Sequence, residues 1–153
     1  MTQDWAKRTA DQIRAKHADV KAENEAALEH SRLRKEQGVR LWSDVRDHIR
    51  TKCADINREY GSEVFIFMVV QNQTLDVRYK APSGKTHTLS ASFTPSSADN
   101  AIEWRTSGHR MSEPRKGKCE LAVRSGTVGL LTGAHPYTPE TLAEKMLEDL
   151  MAD

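Results

Sequence analysis

The first sixty residues contain no proline and a single glycine, Gly38, and most of their charges alternate in sign. Proline-free segments rich in alanine and in long charged side chains form helix readily. As one uninterrupted helix this stretch would run about 90 Å, at roughly 1.5 Å per residue. A compact domain of 153 residues has a radius of gyration of only about 15 Å. Such a helix must therefore fold back at Gly38 or extend away from the body as an arm.

The stretch divides by its apolar pattern. Trp42, Val45, Ile49, Cys53, Ile56 and Tyr60 recur at spacings of three and four, which puts them on one helical face. Arg46, Asp47, Arg50, Asp55, Arg58 and Glu59 take the other faces. Burying six such apolar side chains is worth on the order of 10 kcal/mol before chain entropy is subtracted. Val39 to Tyr60 therefore reads as a core helix.

Upstream, Ile13, Val20 and Ala27 repeat every seven residues, while the alternate seam positions hold Ala10, His17, Asn24 and Ser31. That is half of a coiled-coil pattern, with polar groups in the second row. Leu28 and Leu33 lie nearby without restoring the register. Pairs such as Asp4–Arg8, Lys7–Asp11, Lys21–Glu25 and Arg32–Glu36 support helix at a few tenths of a kcal/mol each. The helix forms readily but has little with which to pack.

Two paths at Gly38 fit the pattern. Basic residues before a glycine resemble a helix end, and Ser43-Asp44 resembles a new start. Against a bend or break, Leu28, Trp42, Ile49 and Ile56 share one heptad phase, as one continuous helix requires. The organisation expected is an extended helical arm over 1–38 and a single α+β domain over 39–153.

From Glu63 the period changes to two. The seven-residue apolar run Val64–Val70 reads as a central strand buried on both faces. Leu75, Val77 and Tyr79 alternate with charged residues, and His87, Leu89, Ala91 and Phe93 alternate with a row of hydroxyls, Thr86, Thr88, Ser90, Ser92 and Thr94. Strands also fit Ala101–Arg105, Lys118–Arg124 and Val128–Leu131. The short connections imply an antiparallel meander of five to six strands. Thr138-Pro139-Glu140 starts a last helix with a core stripe of Leu142, Met146 and Leu150. The fold class is α+β, with the C-terminal helix packed on the sheet.

Composition narrows the function classes. Apolar residues make up 37% and charged residues 29%, with a net charge of +1. That balance gives no global attraction to nucleic acid or membrane. The two cysteines sit at apolar positions outside any metal spacing, so buried free thiols are expected. Six histidines form no HxxxH, HExxH or Cys/His pair, so no metal or cofactor is expected. A polar N-terminus and the absence of a long apolar run make a cytoplasmic protein the expectation.

Three function classes remain. The first is a non-enzymatic binding or assembly module, joining a second copy or another protein through Ile13, Val20, Ala27 and Leu28. The second is nucleic-acid association through the basic segment 105–118, where Arg105, Arg110, Arg115, Lys116 and Lys118 outnumber Glu113 and Trp104 offers a stacking surface. The plain alternative there is a solvated loop attracted to the acidic C-terminal helix. The third is a small ligand-binding domain or enzyme using the hydroxyl row, His87, or Cys119 with His109 or His135. No residue is assigned a catalytic role, and the first class is preferred.

Overall fold

The computed structural model describes residues 2–71, 73–94, 100–108 and 114–152. The elements run α1 (Thr2–Tyr60), β1 (Phe65–Gln71), β2 (Thr74–Lys80), β3 (Thr86–Thr94), β4 (Ala101–Ser107), β5 (Lys116–Arg124), β6 (Thr127–Thr132), β7 (His135–Tyr137) and α2 (Pro139–Met151). The seven strands form one sheet in chain order, antiparallel at every step. This is the α+β meander expected, with one more strand. The addition is β7, three residues long and containing Pro136, too short to produce a period.

The chain forms two compact units, Met1–Arg32 and Leu33–Asp153. The first is helical, and residues 11–30 are exposed without exception. Its local support comes from ion pairs three residues apart, Asp11–Arg14 at 2.8 Å and Glu29–Arg32 with Nε at 3.0 Å.

In the second unit α1 and α2 cover one face of the sheet. Trp42, Val45, Ile49 and Cys53 are buried with Leu89, Phe93, Ile102, Leu121 and Leu130 from the strands and Leu142, Met146 and Leu150 from α2. Ile56 is half-buried, whereas Tyr60, expected on the core face, is 70% exposed because the stripe runs past the sheet there.

Helix α1 is unbroken at Gly38. The glycine marks a close crossing over the sheet, since a Cβ there would stand 2.7 Å from Leu121 Cδ2 and 2.8 Å from Phe93 Cζ. Beside it, Gln37 Oε1 accepts from the Val128 backbone N–H at 3.0 Å. At the other end, Arg50 lies over the Phe67 ring at 5.4 Å. Asn57 takes the Phe65 N–H on Oδ1 and donates Nδ2 to the Phe65 carbonyl, both at 2.9 Å. The helix thus crosses from β6 to β1.

Helix α2 opens with a reciprocal cap. Thr138 Oγ1 accepts from Thr141 N–H, and Thr141 Oγ1 accepts from Thr138 N–H, with Pro139 in the first turn. Lys52 of α1 reaches Glu140 and Glu144 of α2 at 3.2 and 3.1 Å. Partial burial works against the Lys52 ammonium, but the two carboxylates outweigh it and raise its pKa.

The run Val64–Val70 corrects one expectation. It is not a central strand, because β1 is the first strand of the order and lies at the sheet edge. Ile66, Val69 and Val70 are exposed. A continuous apolar run resembles a doubly buried strand in sequence, and only pairing reveals that one side has no neighbour.

Gly38→Ala gains helix propensity of about 1 kcal/mol but places a methyl 2.7 and 2.8 Å from two buried side chains, so that one or both must shift. Overpacking of this kind costs about 1–3 kcal/mol. The expected net effect is destabilisation by about 1 kcal/mol in urea unfolding, with unchanged denaturant slope. A more stable variant would show that Phe93 and Leu121 yield.

Candidate functional site

The sheet's other face is open, and there the sequence-predicted hydroxyl row meets part of the basic segment. Alternation sends His87, Leu89, Ala91 and Phe93 under the helices and Thr86, Thr88, Ser90, Ser92 and Thr94 to the open side. Register then fills the rows. Ser90 pairs with Asp76 on β2 and Arg105 on β4, and Arg105 pairs with Lys116 on β5. One row along, Ser92 pairs with Thr74 and Glu103, and Glu103 with Lys118. Except for Asp76, these residues line a shallow groove of about 480 Å³.

Beside it, Ser90 Oγ donates to Asp76 Oδ1 at 2.9 Å. Arg105 and Lys116 have no hydrogen-bonded or ionic partner among the described residues. Like charges directly opposite in an antiparallel pair repel by several tenths of a kcal/mol, up to about 1. An anion bridging them would relieve that repulsion.

Among the described residues of the segment 105–118, residues 105–107 and 116–118 are strand. Arg105 is in β4, Lys116 and Lys118 are in β5, and Arg110, His109 and Glu113 lie outside the described residues. Arg115 turns to the helical side, with Nη1 3.7 Å from Asp149 Oδ1. That contact joins one residue of the basic segment to the acidic C-terminal helix.

Trp104, expected as a stacking surface, is buried and points the same way. Its Nε1–H donates to Asp149 Oδ2 at 3.0 Å. Lys145 Nζ donates to the other carboxylate oxygen at 3.0 Å. Gly117 opposite Trp104 makes room for the ring, because a Cβ there would stand 2.0 Å from Cζ2. Asp149 was not visible as a site residue, since nothing in its helical position distinguishes it from the other acids of α2.

His87 is buried, and its Nδ1 lies 3.1 Å from the Leu150 carbonyl, tying β3 to the end of α2. His135 is exposed and stacks edge-on with Tyr137. Cys119 is buried and makes no hydrogen bond to it. Among the described residues no group of three His, Cys, Asp or Glu side chains could hold a metal, and no helix is long and apolar enough to cross a membrane.

The other predicted set, Ile13, Val20, Ala27 and Leu28, lies on the first unit. Ile13 is 49%, Val20 55% and Leu28 71% exposed. Trp5, which sequence reasoning passed over because it falls outside the seven-residue repeat, is exposed there too.

The chain matches no protein-family model, no curated protein and no solved structure.

Burial pushes the Cys53 thiol up to about 12 and the Cys119 thiol up to about 11, in the latter against hydrogen bonds from Thr132 and Leu131. An unfolded thiol ionises near pH 8.5. Above that pH the unfolded chain sheds protons that the folded chain keeps, so stability falls as pH rises, by up to about 1.4 kcal/mol per unit and thiol. Urea unfolding between pH 8 and 11 should show a steeper decline for the native chain than for Cys53→Ala/Cys119→Ala. Equal slopes would mean that the thiols ionise in the folded state.

Proposed function

We propose that this chain is a non-enzymatic binding and assembly module that receives a partner helix along the first thirty residues of α1. The observation that carries this reading is the unbroken exposure of residues 11–30 in a helix that still places Ile13, Val20, Ala27 and Leu28 along one side. A lone helix gains nothing from such a row, whereas a second helix would bury it.

Charge selects the partner. Lys7, Arg14 and Lys21 each follow a row position, Ala6, Ile13 and Val20, and form a basic column beside the seam. A second copy laid antiparallel would face this column with its own. Laid parallel, it would set Lys16 against Lys21. An amphipathic helix with acidic flanks meets neither repulsion, and His17 and Asn24 within the seam would restrict its register.

The test uses two synthetic helical peptides with identical leucine seams, one flanked by glutamate and one by lysine. The glutamate peptide should bind the full chain and the lysine peptide should not. Ile13→Lys/Val20→Lys should weaken binding at least about tenfold, equivalent to 1.4 kcal/mol, without changing thermal unfolding. Equal binding of both peptides, or indifference to the substitutions, would remove the reading.

A second reading, contact with nucleic-acid phosphates by the open sheet face, is favoured by the unpaired Arg105 and Lys116. With Trp104 buried, it depends on charge alone and not on base stacking. Retention of a mixed oligonucleotide pool at roughly 50 mM salt should then fall steeply with added salt and weaken in Arg105→Gln/Lys116→Gln. No retention would dismiss it.

A further inference from the structure

The two edges of the sheet are unlike. Strand β7 ends the sheet with three residues, one of them Pro136, which lacks an N–H. A short proline-bearing edge offers little for another strand to join. Strand β1 has seven residues and none of these protections. From Val64 to Leu75 the chain carries no charge and no proline. Ile66 is 43%, Val69 44% and Val70 56% exposed.

Hydrogen-bond alternation fixes which peptide groups of β1 face outward. Lys80 N–H donates to the Val64 carbonyl at 2.9 Å, and the two strands remain in register from Phe65↔Tyr79 to Val69↔Leu75. The Val64 carbonyl and both peptide groups of Ile66 and Met68 therefore face β2, the Val64 N–H donates to Asn57 Oδ1 at 2.9 Å, and Phe65, Phe67 and Val69 direct theirs away from β2. Asn57 satisfies both outward groups of Phe65. Those of Phe67 and Val69 have no partner among the described residues.

We propose that β1 is a self-association edge, at which two copies of this chain pair antiparallel about a two-fold axis through Met68 and continue one sheet into the other. The unpaired groups choose the register. Opposing Phe67 of one copy to Val69 of the other, twice by symmetry, completes four hydrogen bonds. Centring on Phe67 would require the Phe65 groups that Asn57 already holds. Centring on Val69 would run into the irregularity between Val69 and Gln71. In the Met68-centred register Ile66 lies opposite Val70 of the second copy, so apolar side chains cover one another and no like charges meet. A two-fold contact of this kind closes at two copies, because the same patch serves both sides.

This interface is independent of residues 1–32, which separates it from helix recruitment. The experiment is sedimentation equilibrium of the full chain from low to high micromolar concentration, with charge-swapped variants at the axis. The native chain should show a reversible dimer. Met68→Lys and Met68→Asp should each dimerise at least about tenfold more weakly, because like charges meet at the axis. Mixing the two variants should restore association as a heterodimer. Val69→Pro, which removes an outward N–H without touching the ladder to β2, should also be monomeric. Heterodimer recovery guards against the alternative that the variants merely misfold. A native chain that stays monomeric throughout the range would overturn the proposal. So would a dimer that tolerates Met68→Lys or Val69→Pro, or one that is lost on Ile13→Lys/Val20→Lys instead.

Discussion

The crossing of α1 over the sheet at Gly38 is the contact on which the second unit depends. At that point the helix backbone comes close enough that even a methyl group would meet Phe93 and Leu121. The closeness sets the height of the helix above the sheet for the next four turns. Trp42, Val45, Ile49 and Cys53 then enter the layer between them with little or no exposure. Further along, the same path delivers Arg50 to Phe67 and Asn57 to the rim of β1. A glycine in mid-helix costs about 1 kcal/mol in propensity, and the close approach recovers it through packing across the whole layer.

The second helix is held by its buried apolar stripe, Leu142, Met146, Leu147 and Leu150, and polar groups fix where it seats. Asp149 is a buried carboxylate, and it is matched by the Trp104 indole, the Lys145 ammonium and, at longer range, the Arg115 guanidinium. His87 meets the Leu150 carbonyl in the last turn of α2. Lys52 bridges the two helices through Glu140 and Glu144. Buried polar groups of this sort contribute less net energy than apolar burial but restrict the alternatives, because any other seating of α2 would strand a charge. The same network explains why the basic segment does not act as one patch. Arg115 and Trp104 serve the covered face, leaving Arg105, Lys116 and Lys118 on the open one.

Elements with a sustained period were legible in the sequence. The core stripe of α1, the alternation in β3 and the Thr138-Pro139 start of α2 each depend on local chemistry that repeats. Gly38 was ambiguous because a glycine that ends a helix and one that admits a neighbouring layer look identical until the neighbour is placed. The position of β1 was misjudged for a related reason. Its composition reports burial propensity, while its edge location depends on which strands pair. The basic residues were visible as a cluster, but reading the stretch between Arg105 and Lys118 as a loop concealed that Lys116 faces the open side while Arg115 reaches Asp149. Asp149 and Asn57 carried no signal, since their roles arise from partners 45 and 8 residues away.

An antiparallel meander with helices on one face leaves two edges and one open face to be accounted for. Here the β7 edge is shortened and interrupted by proline, and the open face is wetted by hydroxyls and charges. The β1 edge is instead uncharged over twelve consecutive positions, and α1 closes only its first residue pair through Asn57. Covering one step of an edge while leaving the next two outward peptide positions free does not remove the edge; it limits where another strand can begin. For the proposed pairing that boundary selects a single register, and it follows from the same helix path that Gly38 permits.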